Sequence, residues 1–231
     1  MSDLSLDTEA LTRSLDSVGY AVVGRLLDAR CCAALARTYD TADGFRSRVV
    51  MQNHGYGQGE YRYFDYPLPP QVAALRRALY PPLAAIANDW NARLGIDDRF
   101  PEDHAAYLDS CHSAGQTRAT PLLLRYRAGD HNRLHQDLYG DEVFPLQVTV
   151  LLSRPGDDFT GGEFVLTEQR PRQQSRAEVV PLALGDAVVF PVRDRPVAGR
   201  RGHYRAKMRH GVSRLHAGER TTLGVIFHEA R

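Results

Sequence analysis

Cysteine and long apolar runs are both scarce in this chain of 231 residues, and each scarcity excludes a class of protein. Three cysteines cannot all pair, and Cys31 and Cys32 are adjacent on a predicted helix, so we expect reduced thiols that form no disulfide framework and bind no metal. No apolar run approaches the roughly 20 residues of a membrane span, and the acidic amino terminus lacks a basic segment followed by an apolar one. We therefore expect a cytoplasmic protein with no export signal and no membrane anchor.

Charge of one sign is not in large excess either, since 29 basic residues face 28 acidic ones for a net charge of +1. The distribution is uneven: residues 1–120 hold 12 basic and 15 acidic residues, whereas residues 121–231 hold 17 and 13. One segment concentrates the basic excess, with a single acid, Asp194, among Arg193, Arg195, Arg200, Arg201, Arg205, Lys207 and Arg209. Such a segment could meet a nucleic-acid backbone or an acidic substrate, or it could be an ordinary solvated face.

The order of predicted elements places helices first and strands last. Asp7 and Asp28 are capping residues for two amphipathic helices with a short strand at 19–23 between them. A third helix is predicted over 71–94, kinked or broken at Pro81-Pro82, and a fourth begins near Pro101. After Pro121, short strand patterns separated by Gly, Pro and Asp turns are predicted over 122–127, 147–152, 163–167, 187–190, 204–210 and 221–228.

These patterns predict an α+β chain with a mainly β core, a double-stranded β-helix of the jelly-roll or cupin-like kind with N-terminal helices packed against it. We expect one domain over 1–231. Residues 1–120 would be the helical support and the substrate-loop region, and residues 121–231 the jelly-roll core that carries the site.

His135 and Asp137 are two residues apart, so on a strand both side chains point to the same face and can reach one metal ion. His210 on a partner strand would complete a set of two imidazoles and one carboxylate that leaves the opposite coordination positions open. Non-haem Fe(II) oxygenases use this facial triad, whereas structural zinc sites surround the metal with four protein ligands and leave no open position. A His-x-Asp pair alone is more often a turn without a metal. His131 lies four residues before His135, but Gly129 and Asn132 favour a loop and strand over the helix of a zinc peptidase.

Arg220 lies ten residues after His210, and Val212 and Gly218 stand between them. This spacing resembles the Fe(II)/2-oxoglutarate-dependent dioxygenases, and within them the bacterial prolyl-4-hydroxylase-like group, whose distal motif reads His-x-Val-x-x-x-x-x-Gly-x-Arg. The resemblance covers roughly residues 121–228. Part of that group has been suggested to act on damaged nucleic acid.

The resemblance implies that His135, Asp137 and His210 bind Fe(II) and that Arg220 grips the distal carboxylate of 2-oxoglutarate. A guanidinium suits that role because it stays charged and offers two parallel donors to a carboxylate. The implied reaction couples oxidative decarboxylation of 2-oxoglutarate by O2 to hydroxylation of a second substrate. If the hydroxylated carbon is bound to nitrogen, the product releases formaldehyde and the reaction becomes a dealkylation.

Further contacts to the cosubstrate are predicted less directly. Thr222 shares a strand face with Arg220, and the family commonly uses the position of Tyr126. Relatives often carry a tyrosine for the same carboxylate on the strand after the His-x-Asp loop, but this chain reads Leu-Gln-Val-Thr-Val-Leu-Leu over 146–152. Thr149 or Thr222 is the expected substitute.

A glycine- and tyrosine-rich segment over 51–64 is the expected substrate region, with Tyr61, Arg62 and Tyr63 as candidate contacts to a planar group. Tyrosines two apart are also typical of a half-buried strand, which would place Tyr61 and Tyr63 on one face and Arg62 on the other. A peptide or free proline, another small molecule and an alkylated nucleobase all stay open as substrates, with nucleic acid as a partner. A cupin-like protein that binds a metal or ligand without turnover is the alternative class.

Overall fold

The computed structural model describes residues 6–41 and 43–231. Residues 1–5, part of the amino-terminal segment from which we expect no export signal, lie outside the described residues. The helices are α1 (Thr8–Val18), α2 (Ala29–Thr38), α3 (Pro70–Arg93) and α4 (His104–Ser113), with a 3₁₀ turn at Met51–His54. Asp7 and Asp28 cap α1 and α2 through their carboxylates, as predicted. Among the described residues, no helix combines the length and apolar character that crossing a membrane would require.

Fourteen strands are found in the described residues. They are β1 (Ala21–Val23), β2 (Phe45–Val50), β3 (Gly57–Gln58), β4 (Glu60–Phe64), β5 (Leu122–Arg127), β6 (His131–His135), β7 (Leu146–Leu151), β8 (Phe159–Gly161), β9 (Phe164–Gln169), β10 (Arg176–Val180), β11 (Ala187–Pro191), β12 (Asp194–Gly199), β13 (Gly202–Val212) and β14 (Leu215–Val225). All the pairings between these strands are antiparallel.

The strands form two sheets. The larger runs β1-β11-β7-β14-β5-β4-β2, with β8 paired to β14, and the smaller runs β10-β9-β13-β6-β3, with β12 paired to β13. Several neighbours are distant in sequence, such as β11 beside β7, β14 beside β5 and β13 beside β6, as expected for a double-stranded β-helix. The predicted α+β fold with a β core is confirmed.

Some elements differ from the sequence prediction, and strands β2, β8, β10 and β12 were not predicted. Of the two outcomes predicted at Pro81-Pro82, the break is wrong: α3 is continuous because its buried face continues on both sides, with Leu75 and Leu79 before the prolines and Leu83 after them. Burial of that face offsets the roughly 3 kcal/mol that a proline costs inside a helix. Strand β6 was predicted from the spacing of His135 and Asp137 and not from alternation, because His-Asn-Arg-Leu-His does not alternate between apolar and polar residues.

Helix α3 is anchored to the end of β14 by a buried cation. Arg76 donates to the carbonyls of Ile226 and Phe227 and pairs with the Glu229 carboxylate, at 2.8, 2.9 and 2.6 Å. Both charged side chains are almost fully buried. The pair therefore fixes the helical layer against the outer face of the larger sheet.

Strand β7 shows how the two layers leave room for a site. Its six residues are all buried, but they alternate between the two faces of the sheet. Leu146, Val148 and Val150 pack in the main apolar core with α3. Gln147 and Thr149 therefore point away from the helices, into the space between the two sheets, where they line a cavity.

Candidate metal and cosubstrate site

Three side chains that can ligate a metal meet between β6 and β13. His210 on β13 lies directly across from His135, the last residue of β6, while Asp137 follows in the loop after β6. Their ligand atoms all lie within 4.8 Å of one another. The nearer Asp137 oxygens are 3.5 Å from Nε2 of His135 and 3.3 Å from Nε2 of His210. Asp137 therefore reaches the site from a loop, and not from the strand that the two-residue spacing predicted.

Each imidazole is oriented by a different means. His135 Nδ1 lies 2.7 Å from the carbonyl of Arg133, so this nitrogen donates and Nε2 keeps its lone pair for a metal. The His210 ring lies against the rings of Phe164 and Phe190, with centroids 6.0 and 4.7 Å away. Aromatic packing therefore holds His210, since its Nδ1 has no hydrogen-bond partner among the described residues.

The pKa values of the two histidines differ in direction. Burial, followed by the charge of His135, lowers the pKa of His210. Burial also acts to lower the pKa of His135, but hydrogen bonds to Asp137 and to the Arg133 carbonyl raise it overall. Burial alone would raise the pKa of Asp137, yet the hydrogen bonds of both histidines hold it well below its ordinary value. The carboxylate is thus ionised, as a metal ligand must be.

Two donors outside the triad position the Asp137 carboxylate. Tyr139 Oη donates to Oδ1 at 2.9 Å, and Gln147 Nε2 donates to Oδ2 at 2.8 Å. Apart from the two histidines, each oxygen has one such donor and keeps a lone pair for coordination. Sequence reasoning missed both residues, although Gln147 carried a signal as a polar residue in an otherwise apolar strand.

We expect Gln147→Leu and Tyr139→Phe each to weaken Fe(II) or Mn(II) binding by about 10- to 100-fold, because outer partners of ligating groups contribute on that scale. The measurement is metal titration by anaerobic calorimetry. Gln147→Glu should weaken binding more than Gln147→Leu, because it places a second carboxylate against Asp137 and replaces a donor by an acceptor. Unchanged metal affinity in both Gln147→Leu and Tyr139→Phe would show that Asp137 needs no such support.

Arg220 lies on β14, across from Tyr126 of β5 in the strand register. Its side chain is 1% exposed, and no partner among the described residues accepts a hydrogen bond from Nε or Nη1. Burial lowers its pKa to about 10, which still leaves the guanidinium charged at neutral pH. A buried unpaired cation is costly. The structure is therefore complementary to an anion at this position.

One cavity of about 480 Å³ joins the arginine to the triad. Tyr126, Thr149 and Thr222 also line it, so the structure brings together all four predicted cosubstrate residues with the three predicted ligands. The Tyr126 ring lies 5.7 Å from the guanidinium carbon of Arg220, and its hydroxyl accepts from Asn132 at 3.3 Å. A metal-binding cluster and an unpaired guanidinium in one cavity fit a molecule that chelates a metal through one end and carries a carboxylate at the other.

Only one of the three candidate substrate residues lines this cavity. Tyr61 does, whereas Tyr63 lies behind it with its ring edge-on to Tyr139, at a centroid distance of 6.1 Å. The prediction that Arg62 contacts the substrate is corrected. The Arg62 guanidinium donates to the Thr41 carbonyl and lies over the Tyr39 ring, on the face of β4 opposite Tyr61. The alternation of a strand explains this outcome, because neighbours in β4 point to opposite sides.

The basic segment over 193–209 divides into separate environments. Arg195 is buried and pairs with Glu168, and Arg193 pairs with Asp194. Arg205, Lys207 and Arg209 occupy alternate exposed positions on β13, on the face opposite His210. These three residues, called the β13 basic stripe below, form no ion pair within the described ranges 6–41 and 43–231.

Comparison with known proteins places this site in context. A family model described as "Oxygenase, catalysing oxidative methylation of damaged DNA" matches residues 59–230. An uncharacterized protein of Mycobacterium tuberculosis strain H37Rv, Rv2227, is 51% identical over 190 residues, covering 80% of this chain and 82% of that protein. A counterpart in strain CDC 1551, MT2286, matches with the same identity and coverage.

Solved structures share the fold at low identity. A 2OG-Fe(II) oxygenase family oxidoreductase from Burkholderia pseudomallei has a TM-score of 0.57 and 16% identity, covering 98% of this chain and 93% of that one. A Pseudomonas putida prolyl-4-hydroxylase has a TM-score of 0.51 and 18% identity, covering 97% and 99%. A Trichoplax adhaerens prolyl hydroxylase, solved with a hypoxia inducible factor peptide, has a TM-score of 0.51 and 13% identity, covering 95% and 88%.

Proposed function

This chain belongs to the oxygenase family whose model it matches and is an Fe(II)- and 2-oxoglutarate-dependent dioxygenase of the prolyl-4-hydroxylase-like type, and we propose that its substrate is an alkylated base in nucleic acid. The observation that carries the assignment of the site is the single cavity that holds both the His135/Asp137/His210 cluster and the unpaired Arg220. Oxygenase chemistry sets aside the alternative of a cupin-like protein that binds without turnover.

The roles of the residues follow from their positions. Fe(II) would be held by Nε2 of His135, Nε2 of His210 and the Asp137 carboxylate. When bound, the iron would activate O2 with electrons taken from 2-oxoglutarate. Arg220 would fix the distal carboxylate of 2-oxoglutarate by charge-assisted hydrogen bonds, with Thr222 and Thr149 as flanking hydroxyl groups. The buried walls of the cavity exclude water around the Arg220 guanidinium and the carboxylate. The attraction between these two charges is therefore stronger than it would be in water.

The overall reaction balances for an N-methyl group. One oxygen atom of O2 enters succinate as 2-oxoglutarate loses CO2, and the other converts N–CH3 to N–CH2OH. The C–N bond of this hemiaminal then breaks to give formaldehyde and the N–H base. Oxidation at a methyl carbon therefore removes the methyl group, so for a methylated base the family's oxidative chemistry amounts to demethylation.

Nucleic acid as the substrate class is supported by two features. The family model is described by action on damaged DNA. The β13 basic stripe also presents three cations without acidic partners among the residues that the structure describes, an arrangement suited to phosphates. A peptidyl proline is the competing substrate class, and its uncharged ring would draw no binding energy from this stripe.

The test is formaldehyde and succinate release from a single-stranded DNA oligonucleotide that carries one N-methylated adenine, with the unmethylated oligonucleotide as control. We expect both products in equal amounts from the methylated strand alone. Affinity for single-stranded DNA should fall steeply with salt, and Arg205→Gln/Lys207→Gln/Arg209→Gln should reduce the slope by about 0.7 for each phosphate that the variant no longer neutralises. Binding that is insensitive to salt, together with hydroxylation of a proline peptide, would contradict the proposal.

A further inference from the structure

Exposed apolar side chains are concentrated at the mouth of the active-site cavity. The large hydrophobic residues most exposed in the described part of the chain are Val22, Tyr56, Tyr66, Leu134, Leu138 and Val179. Three of them, Tyr56, Leu134 and Leu138, line the cavity that contains the triad. Isolated exposed apolar residues need no explanation, but a group at the entrance of a cavity marks a surface that a ligand covers.

Tyr56 is presented as a flat surface at this mouth. Its ring is stacked on that of His54, with centroids 5.3 Å apart and planes at 21°. Half of the side chain is nevertheless exposed, at 50%. Neither ring belongs to the apolar core clusters of the described residues, so packing within the fold does not account for this pair.

The backbone of Tyr56 is fixed to the strand that carries a metal ligand. Its carbonyl accepts from the Arg133 amide at 2.8 Å, and its own amide donates to the Met51 carbonyl at 3.1 Å. Arg133 also donates from Nη1 to the Gly55 carbonyl at 2.9 Å. Because Arg133 stands two residues before His135, the backbone of Tyr56 is held at a set position relative to the strand that carries this ligand.

Gly57 permits this close attachment. It has a φ of +137°, and a Cβ atom there would lie 2.3 Å from the His131 carbonyl oxygen. Any other residue would push β3 away from β6 and carry Tyr56 with it. The platform is therefore pre-organised, which lowers the entropic cost of ordering a partner on it.

The chemistry of the mouth selects a planar, anionic polymer. An aromatic face stacks well on any nucleobase. Arg133 lines the same mouth, so a cation is available there for a phosphate that flanks a base. Enzymes that act on a base must take it out of its stack and read it in a pocket.

We propose that Tyr56, backed by His54, is the stacking surface that receives the target base, and that it determines specificity for an unstacked nucleobase. This inference rests on the proposed function. The Tyr56 ring would stack on the face of the base, and Leu134 and Leu138 would cover the edge of the base. Arg133 would contact the phosphate next to that base.

The test is a binding comparison that isolates the base. Fluorescence anisotropy without O2 measures binding of two labelled single strands to the protein loaded with Fe(II) and 2-oxoglutarate. One strand carries N-methylated adenine, and the other has an abasic site at the same position. The wild type should prefer the strand with the base by about 5- to 150-fold, the range of one stacked base.

Tyr56→Ala should bring this preference close to one, while the salt dependence of binding stays that of the wild type. Tyr56→Phe and Tyr56→Trp should retain the preference, because both keep an aromatic face. Val179→Ala, on the exposed edge strand β10 outside the cavity, is the matched control and should behave as the wild type.

The outcomes separate the two proposals. If the wild type releases formaldehyde from the methylated strand but Tyr56→Ala keeps the full preference for the base, stacking on Tyr56 is wrong and the proposed function stands. If the wild type releases no formaldehyde and instead hydroxylates a proline peptide, the proposed function is wrong and the inference is overturned with it.

Discussion

Replacing His135, Asp137 or His210 by alanine is expected to abolish turnover and to weaken Fe(II) binding by more than about 100-fold, because even the loss of an outer partner of a ligand costs up to that factor. The three ligand atoms lie within 4.8 Å of one another, so all three belong to one metal centre. Each alanine variant would keep only two of these ligands. The measurements are anaerobic Fe(II) titration and succinate release. Circular dichroism should show that each variant is folded, since none of the three belongs to an apolar core cluster of the described residues.

His131→Ala is the matched control for the ligand variants. His131 begins the same strand as His135, at the edge paired with Gln58 of β3, and lies outside the metal-binding cluster. We expect this variant to keep its iron and its turnover. The assignment would fail if a double variant, His135→Ala/His210→Ala, retained one equivalent of Fe(II).

Arg220→Ala is expected to raise the dissociation constant of 2-oxoglutarate by roughly 10- to 100-fold or more, because a charge-assisted hydrogen bond is worth about 1.5–3 kcal/mol. The buried position increases the loss, since the distal carboxylate would be left desolvated and unpaired. Iron should still bind, because Arg220 is outside the triad. Anaerobic calorimetry with 2-oxoglutarate, after Fe(II) loading, measures both quantities on one sample.

Arg220→Lys should recover only part of this loss, because a single ammonium group cannot reproduce two parallel donors to one carboxylate. A glutarate titration provides a second readout, since glutarate keeps the distal carboxylate but lacks the keto group. Its affinity should fall in parallel with that of 2-oxoglutarate in Arg220→Ala. Unaltered 2-oxoglutarate affinity in Arg220→Ala would contradict the assignment of this residue.

The sequence predicted the chemical groups at both ends of the cavity. Spacing along the chain indicated His135, Asp137, His210 and Arg220, because a short motif with ordered distances survives without knowledge of the fold. The strand positions of five of the six predicted core strands also followed from alternation, within a few residues at either end. The last of them, β14, begins at Leu215, six residues earlier than predicted, so that it carries Arg220 and Thr222 in one continuous strand.

The residues that support the site could not be predicted in the same way. Gln147 holds Asp137 from ten residues away on a strand of the other sheet, and the Tyr56 carbonyl accepts a hydrogen bond from the Arg133 amide on β6. Neither interaction has a characteristic sequence spacing. Each depends on which strands become neighbours, and strand order is set by packing over the whole chain.

The chain's sequence by itself determined the ligand types, the anion anchor and the alternation of its strands, because these depend on residue chemistry and on local backbone geometry. Only the tertiary structure decided which face of each strand meets the cavity. It turned Arg62 toward Tyr39, buried Arg195 against Glu168 and left Arg205, Lys207 and Arg209 exposed on one strand. The physical reason is that a side chain's surroundings are set by the pairing and packing of distant strands, whereas its chemistry is set by the residue alone.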